Sequence, residues 1–498
     1  MRSRNGVLIL YALSVIFLIA SHACAEKDIL KGENSMNIGF SRIDITPPTG
    51  TYLSGQLISL PARGVESNLY ASAMYLDDGE TSVVFVSCDV LTIPNEMARK
   101  IGEEAEAASG IPADNIVVCA THTHSGPNTV DIFGMEADKS YITRYKDGII
   151  EAIQDAKANC VEGTLFIANG QLEGYAFNRR FIMSDGTIET HPLKNDPHIV
   201  KPEGPDSKNI FLWYSSNSEG KPLGVAVNYG CHATVMKRDN DMISSDYPGK
   251  VTEYITKKLG SDVVALFLQS ASGNICQVNP LNSSQNEVGV EWTRIMGEAI
   301  GQRAVELIEE SKTLSGGKIR LLHETIEIPR RRIDADLVEW ANKHTDISTE
   351  TPTLSDYGSE LYGQIKAPAM SLADLFETSF WANFYANEIR TLEKMRASKP
   401  VLPLTIKVIA QDNWACVAVP CEVFIELGNE ICENSPFEHT SVVGLANGWN
   451  GYITTKRAFE RKGGYETKEV TSTMLIPEAY DIVLDVVRRM LDKAYNMK

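Results

Sequence analysis

Two histidines two residues apart, His122 and His124, come after the apolar run Val117-Val118-Cys119-Ala120 and precede Gly126-Pro127. In an extended chain, side chains two apart project to the same side. Two imidazoles emerging together where a strand runs into a loop suit a metal ion or a proton-transfer site. An isolated H-x-H supplies at most two of the roughly three or four ligands that zinc takes. A polar strand end whose histidines bond only to backbone has the same pattern, so the remaining ligands must be sought elsewhere.

Three other loops come directly after buried strands. The stretch 224–236 is a strand ending in Cys231-His232, which continues into a polar loop, ISSDYPGK, at 243–250. Residues 263–280 form a strand that opens into a Gly-Asn-Pro loop around Gly273–Gln277, ahead of a helix from about Glu291 to Lys312. The segment 413–428 is an apolar strand that breaks at Pro420 and then presents Glu422. Strand-end loops are where sites are built. Taken singly, His232 also fits a satisfied core histidine, and Glu422 a first-turn carboxylate of the next helix.

The elements that position these loops read as α/β. Strands are expected from Ile38, over Leu69–Leu76 and over Val83–Ser87. A helix over Glu96–Ser109 leads into the His122 strand, and a second helix covers Tyr145–Asn159. Further strands recur at 164–168, 210–214 and 223–229. The expected architecture is mixed β-sheets flanked by helices, with the site in loops at strand ends. Residues 329–400 differ: PRRRIDADLVEWANKH and the run from Ser371 to Ala397 are helical and charged. They read as an insert covering part of the core or a cleft, with Arg330, Arg331 and Arg332 on a solvated face.

Of 498 residues, 43% are hydrophobic and 22% charged, ordinary for a globular protein. Lys plus Arg is 47 against 65 Asp plus Glu, a net −18. That acidity, without a basic run, argues against a nucleic-acid partner. Arg2 and Arg4 precede an apolar run from Val7 to Ala20, and Ala23-Cys24-Ala25 then offers an A-x-A cleavage site. The run is short for a membrane span. Residues 1–25 therefore read as an export signal and 26–498 as the exported chain, periplasmic, secreted or tethered to the surface through a lipid on Cys24. The other eight cysteines permit disulfides. Cys88, Cys119 and Cys416, however, lie in apolar runs that suit buried thiols, and without a C-x-x-C pair a thiolate zinc site is not expected.

As a set, these motifs resemble the neutral, non-lysosomal ceramidases, which are zinc amidases. THTHSGP at 121–127 is similar to that family's first metal motif, and CHATVMKRDNDMISSDYPGK at 231–250 to its second histidine loop. VPCEVF at 419–424 resembles its V-P-G-E-F segment and GYITT at 451–455 its Y-[VI]-T-T, in the same order from about residue 38 to 470. The resemblance implies zinc held by His122, His232, Glu422 and Tyr452. It implies that His124 faces the scissile carbonyl or the metal-bound water, and that Arg179 in FNRR holds substrate oxygens. Tyr465 in GGYE, one residue later than in the family, would face the oxyanion. Two departures stand out. The family's G-D-V-S-P-N loop is Gly273-Asn274-Ile275-Cys276-Gln277 here, with Cys276 in place of the reactive serine. Only 43 residues come after Thr455, too few for the family's C-terminal β-sandwich domain.

The chemistry implied is zinc-dependent hydrolysis: metal-bound water attacks the amide carbonyl of an N-acyl sphingolipid or a related amide, and donors stabilise the charge that develops on oxygen. Two other accounts compete with it. One is a metal-free hydrolase with Cys276 as nucleophile and a histidine as base. The other is an exported, non-catalytic binding protein with a degenerate site.

Overall fold

The computed structural model describes residues 35–55, 59–132, 135–236, 240–314, 316–344, 379–461 and 463–497. The proposed export segment, Cys24 and the middle of the insert lie outside the described residues. Eight strands form the principal sheet: β1 (Met36–Asp44), β2 (Tyr70–Asp77), β3 (Ser82–Cys88), β4 (Ile116–Ala120), β5 (Val161–Gln171), β6 (Asn209–Asn217), β7 (Pro222–Tyr229) and β8 (Val264–Gln269). Their order is β8-β7-β6-β5-β1-β2-β3-β4, with the short Lys312–Thr313 segment paired to β5. The central pairs are antiparallel. Only the outer pairs β3–β4 and β7–β8 are parallel, because each is joined by a helical crossover: α1 (Asn95–Ser109) and α3 (Asp246–Leu259). A parallel strand is covered on both faces, so it reads as a continuous apolar run. β4, IVVCA, is buried at every residue.

The sheet curls until β8 packs near β2, β3 and β4. Ser87 Oγ donates to the Phe267 carbonyl at 2.5 Å. Gln269 Nε2 donates to the carbonyls of Thr121 and Cys231 at 3.2 and 2.8 Å. The C-terminal ends of β4, β7 and β8 therefore meet.

A second sheet, β9 (Arg320–Pro329), β10 (Val401–Gln411), β11 (Trp414–Ala418) and β12 (His439–Val443), runs in that order. Its β11–β12 pair is parallel, with α7 (Ile425–Glu433) between. The chain leaving β12 slots between β4 and β8: Gly444 N–H donates to the Gln269 carbonyl at 3.0 Å and Asn447 N–H to the Val118 carbonyl at 2.8 Å. Trp213 of β6 meets Trp414 of β11 edge-on at 5.6 Å, joining the two sheets through a common apolar core. Four strand ends thus converge, those of β4, β7, β8 and β12, the position where α/β sheets bind ligands.

Helices flank the sheets as the sequence pattern requires. α2 (Lys139–Ala158) lies on β1 and β2. It begins six residues ahead of the expected Tyr145, because Asp138 caps it by accepting from the Ser140 and Tyr141 amides. α4 (Val290–Glu310) packs on α3, and α8 (Ala479–Asn496) on β9 and β10. ISSDYPGK at 243–250 is not wholly a loop, since α3 begins at Asp246. Pro248 falls in its first turn, where a missing N–H costs nothing.

The β9–β10 connection holds α5 (Ala335–Lys343) and α6 (Ser379–Ser398), which pack on one another. The solvated reading of the arginines holds only for the exposed Arg332. Arg330 is buried, and its Nε donates to the Lys399 carbonyl at 3.0 Å. Arg331 binds the Thr467 carbonyl and Glu469, both at 2.9 Å. Both arginines tie the insert's root to the 467–474 loop. All eight described cysteines are free thiols. No described helix is long and apolar enough to cross a membrane.

Candidate metal centre

The chain turns as soon as β4 ends. His122 N–H donates to the Val90 carbonyl, and His122 itself takes a left-handed φ of 67°. That conformation is strained for an L-residue and survives only where its surroundings impose it. The two histidines therefore do not share a face by strand alternation, as expected. The bend aims them together, placing His124 Nε2 3.3 Å from His122 Nε2. Thr123 between them turns away, its hydroxyl donating to the Ser244 carbonyl at 2.7 Å. His124 N–H docks on the Ala233 carbonyl, which brings in the loop that carries His232.

Each imidazole is held by its other nitrogen. Nδ1 of His122, His124 and His232 meets the carbonyls of Leu91 (2.7 Å), Gly55 (2.6 Å) and Ser272 (2.7 Å). A carbonyl only accepts, so Nδ1 carries the proton and each Nε2 presents a lone pair inward. The ligand nitrogens of all three lie within 4.8 Å of one another. Glu422 Oε2 faces two of them, 3.4 Å from His122 Nε2 and 3.3 Å from His232 Nε2. Burial, with Arg179 nearby, pushes the His232 imidazole down to about 4. Burial and the other two histidines push His124 well below its usual value. Both rings are neutral at pH 7, as metal ligands and proton acceptors must be.

Glu422 and Tyr452 are register partners in the two-residue parallel ladder of Glu422–Val423 with Tyr452–Ile453, and both are buried. Gly273 lies flat on this ladder: a Cβ there would sit 2.7 Å from the Glu422 carbonyl, so only glycine fits. Burial and the neighbouring Glu422 raise the Tyr452 phenol well above its ordinary value, an effect that a cation in the cluster would oppose.

The structure also places the other expected residues. Arg179 is buried, and its Nη2 donates to the Gly273 carbonyl at 2.8 Å and the Tyr452 hydroxyl at 3.1 Å. Those bonds join it to the centre itself. The Tyr465 ring lies 6.1 Å from that of Tyr452, with its hydroxyl on Ser472 Oγ at 3.1 Å. Together with Met183, Ile188, Thr190 and Lys468, Tyr465 lines a cavity of about 540 Å³.

Cys276, the nucleophile of the metal-free reading, is placed beside a histidine. Its sulfur is buried, with His191 Nδ1 at 3.7 Å and the Val278 carbonyl at 3.6 Å. Burial pushes the thiol up to about 12, the opposite of an activated thiolate. Asn274, which stands where the family's loop has its acid, has a structural role. Its Oδ1 accepts from the Ile425 amide at the start of α7, and its Nδ2 donates to Glu426 Oε2. An aspartate could not make the second bond.

Sequence reasoning missed two residues. Trp449 Nε1 donates to Glu422 Oε1 at 2.9 Å, turning Oε2 toward the histidines. Glu466, beside Tyr465, binds Arg179. The available signal was a tryptophan and a carboxylate placed within a few residues of motif tyrosines.

The donor set fits a metal ion on its own terms. The inward lone pairs of His122 and His232 face Glu422 Oε2, a buried oxygen with no hydrogen-bond donor among the described residues. Acceptors facing acceptors in a dry pocket are costly unless a cation sits among them. Outer hydrogen bonds typically tune metal affinity about 10–100-fold. Trp449→Phe, which frees Glu422 to rotate, is therefore expected to weaken zinc binding by that factor in a competitive chelator titration, with little change in fold.

Comparison with known proteins bears on the fold and the family. The chain is 21% identical over 536 residues to a neutral ceramidase of Drosophila pseudoobscura pseudoobscura, covering 91% of this chain and 73% of that protein. It is 23% identical over 536 residues to neutral ceramidase A of Dictyostelium discoideum, covering 91% and 72%. The crystal structure of neutral ceramidase from Pseudomonas aeruginosa shares the fold, with a TM-score of 0.66 at 18% identity over 93% of this chain and 75% of that one. The family model described as neutral/alkaline non-lysosomal ceramidase, N-terminal, matches residues 36–285, half of the chain. The protein belongs to the neutral/alkaline non-lysosomal ceramidase family.

Proposed function

We propose that this protein is a zinc-dependent amidohydrolase that cleaves the amide C–N bond of an N-acyl sphingolipid such as ceramide, or of a related linear amide. His122, His232, Glu422 and Tyr452 would hold the metal. The observation that supports the reading is the cluster of three imidazole nitrogens, two of them facing the otherwise unpartnered Glu422 Oε2. When bound, zinc supplies a Lewis acid and the means to ionise water near neutral pH.

The protein's own groups do the rest. His124, its Nδ1–H fixed on Gly55, offers Nε2 as proton acceptor and afterwards as donor to the leaving nitrogen. Tyr465 donates to the carbonyl oxygen as that atom gains charge. The cavity beside Tyr465 receives part of the substrate. The products are a fatty acid and an amine. The charged and apolar N-terminal segment supports export of the protein to the cell exterior or periplasm.

The test is hydrolysis of a panel of ceramides and simpler N-acyl amides by the purified protein, with metal analysis. Chelation is expected to stop turnover and added zinc to restore it, while iodoacetamide leaves it unchanged because Cys276 is buried. Full activity after complete metal removal would sink the proposal.

A further inference from the structure

Arg179 and Arg180 are neighbours in sequence, yet both guanidiniums converge on one carboxylate. Arg179 Nε donates to Glu466 Oε1 at 2.7 Å and Arg180 Nη1 to Glu466 Oε2 at 2.6 Å. Thr190 Oγ1 adds a bond to Oε2 at 2.8 Å. Arg179, Arg180 and Glu466 are only 5%, 0% and 0% exposed. Beyond them, Arg180 Nε donates to Glu203 Oε2 at 2.5 Å, and Glu203 Oε1 receives Arg461 at 3.3 Å. The loop is shaped around this chain of charges: at Gly464, φ 81°, a Cβ would lie 2.2 Å from Arg180 Nη1.

A planar guanidinium whose Nε is fixed on a carboxylate has little freedom left at its other nitrogens. The clamp on Nε therefore decides where Arg179 Nη2 points, and Nη2 points at the Gly273 carbonyl and the Tyr452 hydroxyl. Tyr452 is the register partner of Glu422. Glu466 takes both arginines although Arg180 also has Glu203, more partners than an ion pair needs for its own stability, and buried pairs are in general weak sources of stability. Orientation is what the second cation and Thr190 add.

We propose that Glu466 is a positioning residue for the metal centre: through Arg179 it fixes the Tyr452 oxygen relative to Glu422 and the histidines. This inference rests on the metal-amidase reading and extends it to a carboxylate that touches neither metal nor substrate.

Cobalt(II) binding tests it, because affinity and visible spectrum report ligand geometry without reference to turnover. Glu466→Gln is expected to lower cobalt affinity about 10–100-fold and to alter the spectrum. Arg179→Met should do the same, and the double variant should be no worse than Arg179→Met alone. Glu466→Gln by itself leaves one more buried positive charge, so a charge-balanced variant guards against a failure to fold. Arg180→Met with Glu466→Gln keeps the wild-type charge balance and is expected to show the defect. Arg180→Met alone, which keeps the Arg179–Glu466 bond but removes one group that orients Glu466, is expected to show a smaller defect than the pair. Wild-type cobalt affinity and spectrum in a folded Glu466 variant would overturn the proposal, as would losses that multiply in the Arg179/Glu466 double variant. A wild-type protein that binds no cobalt and hydrolyses no amide overturns the metal-amidase reading as well; a normal wild type with an indifferent Glu466 overturns the positioning role alone.

Discussion

Glu422→Gln is expected to remove bound metal and amide hydrolysis together, while leaving the metal-free protein at least as stable as the wild type. The reason lies in the two oxygens. Oε1 accepts from Trp449 Nε1 at 2.9 Å, and Oε2 faces His122 and His232 with no donor of its own. In the variant, Trp449 still requires an acceptor, so the amide oxygen takes the Oε1 position and the amide NH₂ falls where Oε2 was. That NH₂ points at two imidazole lone pairs and satisfies them. Relieving a buried unsatisfied group is worth about 1–3 kcal/mol. The same donor repels a cation and removes its anionic ligand, so zinc affinity should fall by on the order of 1,000-fold or more, since structural zinc binding draws on about 10–16 kcal/mol of ligand interaction. Metal analysis, calorimetric melting of the metal-free forms and hydrolysis of an N-acyl substrate measure the three effects. A variant that turns over normally without metal would remove the centre from the mechanism.

The strands that carry the centre were readable because parallel strands covered on both faces must be apolar throughout. IVVCA at β4, VALFLQ at β8 and WACVA at β11 all announce themselves in this way. The turns and caps beyond the strand ends were less readable. The H-x-H pair converges through a left-handed turn at His122, not through strand alternation, and no periodicity encodes a single positive φ. The apolar side of α2 reaches back to Tyr141 and Ile142, and the cap at Asp138 marks where the helix starts. Arg330 and Arg331 read as solvated because charge runs usually are, but carbonyls of the 399 and 467–468 backbone bind them.

The assembly of the centre from positions 122, 232, 422 and 452 depends on a curled sheet that brings β4, β8 and the chain after β12 into contact. Those pairings span hundreds of residues and leave no local trace, so only the resemblance of the motifs linked them in advance. Trp449 and Glu466 act through other side chains, and such residues are visible only once the partners are placed. α6 adds another case: Glu388 accepts from the Thr471 amide and hydroxyl, both at 2.7 Å, and so braces the loop whose Ser472 carbonyl receives the Tyr452 amide. An insert that reads as a surface feature is thus bonded to the loop that holds a candidate ligand.

His124→Ala is expected to separate binding from turnover. The three histidines look alike in the orientation of Nε2, but they differ in their surroundings. His122 and His232 are 3% and 1% exposed, and Glu422 Oε2 lies within 3.4 Å of both. His124 is partly exposed and meets the cluster through His122. That asymmetry suits a group that faces the reacting amide, with its ring fixed by the Gly55 carbonyl and neutral at pH 7. Removing a positioned acid–base group costs roughly 100- to 10,000-fold in rate, so kcat should fall by that factor while zinc content stays near the wild-type level. His122→Ala, by contrast, should lose both together, because its nitrogen and the Glu422 oxygen face each other across the centre. Metal analysis and steady-state kinetics on the two purified variants separate the roles. Loss of zinc from His124→Ala would make His124 a ligand, and the division of labour between the two residues of the H-x-H pair would then be wrong.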